Sequence, residues 1–179
     1  KADITIVEIG GTVGEYQNAM FIETARILRI KNPNDVAFVL VSYLPVPDKV
    51  GEMKTKPTQY AIRTLNSYGV HPDIIIARSD RPLDRKRKEK IAFSSNVSVD
   101  NIISAPDVDS IYDIPINFEK DGLSDTLLKL LRLKPKQTDL KDWRRMVLQM
   151  KKAKDEIKLL LSANILRRVI LFCLMSIFR

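Results

Sequence analysis

Three apolar runs rich in β-branched residues, at positions 3–9, 36–44 and 73–78, lack the alternation of a strand with one wet face. Strands of this composition are covered by helices on both sides of a parallel sheet, which restricts the chain to a layered α/β architecture. Between the runs the period lengthens. Residues 19–30 place Met20, Phe21, Thr24, Ile27 and Leu28 on one helical face, and residues 57–68 open on Pro57 and stop at Gly69. Strand, helix, strand, helix, strand predicts a doubly wound, mostly parallel sheet with flanking helices. Beyond Asp84, a suitable N-cap, a charged helix over 85–93 leads to a further strand starting at 101–105, and 123–131 reads as another helix. Lys134-Pro-Lys-Gln-Thr138 has the composition of a linker. Asp139 can cap a last helix in which Leu140, Trp143, Val147 and Met150 recur at the spacing of a packed stripe.

The net charge of +8 suggests a polyanion or membrane-surface binder until its distribution is counted. Residues 1–133 hold 18 basic and 18 acidic side chains, and residues 134–179 hold 12 and 4, so the whole excess lies in the last quarter. A neutral core without a recognition motif argues against nucleic acid. Cys173 is the single cysteine and His71 the single histidine, which excludes an intrachain disulfide and any Cys/His metal spacing, and fits a reducing, cytoplasmic setting. The opening Lys1-Ala2-Asp3 runs straight into an apolar strand pattern with no signal-peptide layout, and we expect it to be a cut end. Residues 159–179 carry a dense apolar run at 169–178 behind Arg167 and Arg168. A ten-residue run falls short of the ~20 that span a bilayer, and extending the run backward puts both arginines near its centre, at about 3 kcal/mol each. No membrane span is expected.

In doubly wound sheets ligands sit beyond the carboxyl ends of the strands, here the loops 10–17, 44–56 and 79–84. Glu8-Ile-Gly-Gly-Thr-Val-Gly14 sets a carboxylate at the end of an apolar strand, followed by three glycines that let backbone N–H groups approach an anion. Two readings of Glu8 stand: a Mg²⁺ ligand, or a side chain emerging into solvent. Lys54-Thr55-Lys56-Pro57-Thr58-Gln59 is more specific. It places two ammonium groups, two hydroxyls and an amide at a helix N-terminus, a good clamp for a triphosphate, with Gln59 able to read a base edge. The alternative is a solvated lysine-rich turn. The charged run 84–90 is mainly a solvated face, except that Lys90 stands where that helix turns toward the core.

Several strings together resemble CTP synthase. These are Val7-Glu-Ile-Gly-Gly-Thr-Val-Gly14, Gly51-Glu-Met-Lys-Thr-Lys-Pro-Thr-Gln59, Pro72-Asp-Ile-Ile-Ile-Ala-Arg-Ser-Asp80, Lys90-Ile-Ala with Asn96-Val97, and Asp107-Val-Asp-Ser-Ile-Tyr112. The resemblance runs from about residue 3 to 158 and implies the second half of the family's synthetase, or amidoligase, domain, an incomplete P-loop-like fold. It divides the chain into a partial synthetase domain at 1–133, a linker and helix at 134–158 leading toward a glutaminase domain, and a dissimilar tail at 159–179.

The implied chemistry is phosphorylation of the uracil O4 of UTP by ATP, then displacement of phosphate by ammonia drawn from glutamine, to give CTP. By the same resemblance, Glu8 looks like the Mg²⁺ ligand, Lys54, Thr55, Lys56, Pro57, Thr58, Gln59 and Lys90 look like the UTP- and CTP-binding residues, and Pro106, Asp107 and Val108 look like the adenine-nucleotide loop. No protein nucleophile is called for. The family's Gly-Asp-Ile-Glu segment, which contacts CTP in feedback inhibition, stands here as Gly14-Glu15-Tyr16-Gln17. An amide at Gln17 donates as well as accepts, so feedback by CTP is the property most exposed to this change.

The resemblance also implies a homotetramer. The phosphate loop with its lysine and the Cys-His-Glu glutaminase triad have no counterpart in these 179 residues, and the expectation is an inactive piece. The alternatives are a non-catalytic nucleotide-binding or regulatory subunit and, further off, a basic nucleic-acid binder. For the tail the expectation is out-of-frame translation: a Gly-Lys-Tyr coding string read one nucleotide later yields Ala-Asn-Ile, as at Ala163-Asn164-Ile165. An uninterrupted frame in independent clones, with no displaced homologous sequence downstream, would overturn that idea.

Overall fold

The computed structural model describes residues 4–49, 51–135 and 139–153. In chain order its elements are α1 (Tyr16–Lys31), β1 (Val39–Tyr43), α2 (Lys56–Ser67), β2 (Ile74–Ser79), α3 (Arg85–Ser95), β3 (Ile102–Pro106), α4 (Ile114–Lys120), α5 (Leu123–Leu130) and α6 (Lys141–Lys152). The three strands form one parallel sheet in the order β1-β2-β3, with Leu40 beside Ile75 and Ile75 beside Ile102.

Why β2 shows no alternation is now visible. On one face Leu40, Leu44, Ile75, Ala77 and Ile102 pack against Ile62 of α2 and Ile91 of α3, with Met53, Leu83 and Val97 filling between them. On the other, Ile74, Ile76 and Ile103 meet Phe118 of α4 and Leu123, Leu127 and Leu130 of α5. Helices on both faces of a parallel sheet make this the doubly wound α/β fold that the apolar runs imply.

Local signals end the helices where they should. Pro57 lies in the first turn of α2, and beyond its C-terminus Gly69 takes φ +73°, a left-handed geometry that a Cβ would resist. Asp84 caps α3 by accepting the Arg87 N–H at 2.8 Å, and Asn96 closes the same helix at φ 57°. Asp139 accepts the Lys141 N–H at 3.2 Å at the start of α6.

Two expectations are corrected. Residues 4–9 form no strand among the described residues, and they are exposed, Ile6 by 91%. A strand exists only through its ladder, and the ladder of β1 runs to β2 alone. Helix α1 forms, yet the face expected to be covered is not: Met20, Phe21, Ile27 and Leu28 are exposed, and the helix packs through Ile22 onto Leu65 and Val70. Its far end is tied down by Arg29, which donates to Asp73 at 2.8 and 3.0 Å, while Asp73 also accepts the Phe38 N–H at 2.7 Å.

The two edges of the sheet differ for a related reason. At β3 the Ser104 N–H donates to Asp121, which Lys88 holds at 2.9 Å, so that edge is occupied by side chains. At β1 the helices α4 and α5 do not reach, and Val39, Val41 and Tyr43 stay exposed beside the covered Ile74 and Ile76. Helix α4 had no signal in the sequence, being seven residues long with Pro115 in its first turn. In α6, Val147 of the expected stripe is buried and Met150 is exposed. Among the described residues no helix is long and apolar enough to cross a membrane. The tail at 159–179, with Cys173, lies outside the described residues.

Candidate functional site

The carboxyl ends of the three strands open on one edge of the sheet, and short backbone bonds bring their loops together there. The Leu44 N–H reaches the Arg78 carbonyl at 2.7 Å, the Asp107 N–H reaches the Ser79 carbonyl at 2.9 Å, and the Lys54 N–H folds back to the Pro45 carbonyl at 2.9 Å. Arg81 donates to the Gly51 carbonyl, fastening the β2–α3 loop to the β1–α2 loop. Met53 is buried in the core and anchors the second of these loops from below.

On this base the residues 54–59 divide by direction. Thr58 is fully buried, its hydroxyl 2.8 Å from that of Ser42, which pins the first turn of α2 to β1. Thr55 is buried too and accepts from the Gln59 amide at 3.2 Å. Lys56 and Pro57 are exposed, and Lys54 and Gln59 are half-buried. The two hydroxyls therefore build the turn, and the ammonium groups face outward at a helix N-terminus, where the backbone dipole also favours an anion.

An acid holds the place of that anion. Lys54 Nζ lies 2.8 Å from Glu52, whose carboxyl is kept below the usual range first by this hydrogen bond and then by the charges of Lys54, Arg87 and Lys90. Lys90, on α3, thus acts on the same carboxylate as Lys54 from a loop before α2. Composition could not reveal Glu52 and Arg87 as members of this cluster, because only the packing of α3 beside α2 assembles it. A Glu52→Gln variant is expected to bind inorganic triphosphate more tightly than the native chain, by about three-fold near neutral pH. The two should converge as pH falls through the depressed carboxyl pKa and Glu52 is neutralised, and an equilibrium-dialysis pH series checks this.

The remaining site residues form a second group on the same edge. Asp107, just past β3, stands 3.7 Å from Arg78, and the Tyr43 hydroxyl donates to Asp80 at 2.9 Å. That hydrogen bond, with partial burial and the charges of Asp80 and Asp107, pushes the Tyr43 pKa up against the opposing charge of Arg78. Pro106 and Val108 flank Asp107 and are half-buried. Tyr43 was not singled out from sequence; a polar aromatic closing an apolar strand was the available signal.

Glu8 and Gln17 meet elsewhere, with Ile9, Gly10, Asn18 and Phe21, around a cavity of about 270 Å³. Glu15 and Tyr16 lead into α1, Tyr16 almost wholly exposed. Buried Asn18 donates to the Thr12 carbonyl at 2.7 Å, and its Oδ1 has no partner among the described residues. Glu8 is the one carboxylate lining this cavity, and the described residues contain no group of three acidic, His or Cys side chains placed to share an ion.

The sequence model of the CTP synthase N-terminus matches residues 1–133. The chain belongs to the CTP synthase family. It is 41% identical over 158 residues to a CTP synthase of Pyrococcus horikoshii and 42% identical over 158 residues to one of Pyrococcus furiosus, each match covering 88% of this chain and 29% of the relative. A CTP synthase of Gloeothece citriformis is 41% identical over 160 residues, covering 89% of this chain and 29% of the relative. The chain therefore spans less than a third of the length of these curated CTP synthases.

Proposed function

We propose that these residues supply the pyrimidine-nucleotide side of a CTP synthase synthetase site. The observation that carries the reading is that Lys54, just before α2, and Lys90 of α3 both act on the Glu52 carboxylate, with Lys56 exposed at the N-terminus of α2, whose dipole also favours an anion. Lysines hold a triphosphate as mobile point charges, and Gln59, half-exposed beside them, has the paired donor and acceptor to meet a uracil edge.

In the reaction of such a site the γ-phosphoryl group of ATP passes to the uracil O4, ADP leaves, ammonia adds at C4, and phosphate departs with the former O4 as a proton is lost to solvent. The ammonia comes from glutamine. What this chain's residues do in that sequence is bind and orient UTP and, at Pro106, Asp107 and Val108, seat the adenine nucleotide; charge neutralisation and positioning are the main demands of phosphoryl transfer. Glu8 would offer one carboxylate to a Mg²⁺, which would supply charge neutralisation to the phosphoryl group.

The family's glycine-rich loop ending in lysine has no matching string in this sequence, and we assign these residues nucleotide binding without turnover. A cytoplasmic, tetrameric setting belongs to the same proposal, and Glu15, Tyr16 and Gln17 stand where the family contacts CTP in feedback, with the Gln17 amide the change that would weaken it. Isothermal calorimetry with UTP in the presence of a chelator tests it. Weak, Mg²⁺-independent binding of UTP, competed by CTP and distinctly poorer for GTP, is expected. Equal heats with every nucleoside triphosphate would reduce the cluster to a general anion patch.

A further inference from the structure

Among the described residues, helix α6 makes two long-range polar contacts, both to one short stretch of chain. The Trp143 indole N–H donates to the Tyr112 carbonyl at 2.8 Å, with the two rings tilted and 6.0 Å apart, and Lys151 Nζ lies 2.8–2.9 Å from the carboxylate of Asp113. That stretch, Ile111–Asp113, is a tight turn: Ser110 Oγ accepts the Tyr112 N–H, and the Ser110 carbonyl accepts the Asp113 N–H at 2.9 Å. It begins only a few residues past Asp107, which the Ser79 carbonyl and Arg78 hold at the end of β3. The loop from Pro106 to Ser110 is thus pinned at one end by the sheet and at the other by α6. Two contacts a little more than two helical turns apart, from Trp143 to Lys151, fix both the position and the angle of the brace.

We propose that Trp143 and Lys151 are positioning residues for the Pro106–Val108 loop, so that an adenine nucleotide seated on that loop is sensed by α6. This rests on the reading of Pro106–Val108 as the adenine-nucleotide loop. A ligand that draws Asp107 toward itself shifts the turn, and the turn cannot shift without changing the hydrogen bond and ring contact of Trp143. The element that reports the site is the helix leading out of the matched domain.

Trp143 is the only tryptophan in the chain, so its emission reads this contact without a label. The experiment is an ATP titration of the full chain followed by tryptophan fluorescence, run beside equilibrium dialysis of radiolabelled ATP, and repeated with UTP and with Lys151→Ala and Lys151→Arg. The expected result is an emission change that saturates with the dialysis curve for ATP and is absent for UTP. Lys151→Ala should weaken ATP by about three- to five-fold, the range of a partly exposed ion pair, leave UTP affinity unchanged, and be rescued by Lys151→Arg. ATP retained in dialysis with flat emission, or with unchanged affinity in Lys151→Ala, overturns the brace and leaves the loop reading standing. An equal response to UTP also overturns it. Failure to retain ATP at all refutes the loop reading itself, and the brace falls with it.

Discussion

Replacing Lys54 and Lys56 together by alanine is expected to lower UTP affinity by at least about 100-fold, because two charge-assisted contacts to phosphate are lost at once. The native arrangement makes the loss larger than the count of contacts suggests. Without Lys54, the Glu52 carboxylate loses its 2.8 Å partner yet remains beside the site, where it repels the incoming triphosphate. The fold should not share the loss. Lys56 is exposed, Lys54 is half-exposed, and the turn they sit on is held from beneath by Met53, Thr55 and Thr58. Calorimetry on the double variant, with its melting temperature measured alongside, separates the two effects. Undiminished heats with UTP would remove the clamp from the site.

The largest effect on stability should come from Ile75→Ala, at about 3–4 kcal/mol in urea denaturation. Ile75 is 0% exposed in the central strand, with Leu40 and Ile102 as its neighbours across the sheet. Its removal leaves a cavity that strands on both sides prevent from collapsing. A loss of this size is a large share of the ~5–15 kcal/mol that holds a domain together. Val41→Ala supplies the contrast. Val41 is 59% exposed on the flank that α4 and α5 leave bare, and its truncation should stay within about 0.5 kcal/mol. Equal losses at the two positions would mean that the bare flank is covered in solution.

Ile75 and Val41 also show where reading the residues stops. Both are β-branched positions in apolar runs, and nothing in their immediate neighbours distinguishes the buried one. The runs at 36–44, 73–78 and 101–105 were legible as strands because their composition suits a sheet covered on both sides, and the helix boundaries at Asp84, Pro57 and Gly69 were legible because caps and breakers act within a few residues. The run at 3–9 has the same composition as the others. It forms no ladder here, since pairing is a property of two segments and composition describes one. For α1 the spacing located the helix correctly and its covered face wrongly, because a face is buried only where a neighbour is present.

The candidate site divides along the same line. Its position at the carboxyl ends of the strands and membership of the CTP synthase family were carried by the sequence, through the order of its motifs, and the same local chemistry underlies the proposal that Lys54 to Gln59 hold an anion. Only the tertiary structure turned Thr55 and Thr58 inward, set Glu52 against Lys54, brought Lys90 and Arg87 of α3 to the same carboxylate, and laid Trp143 on Tyr112. Each of those facts depends on how helices pack across a sheet, where residues far apart in sequence come within a few ångströms through long-range contacts that no local pattern encodes.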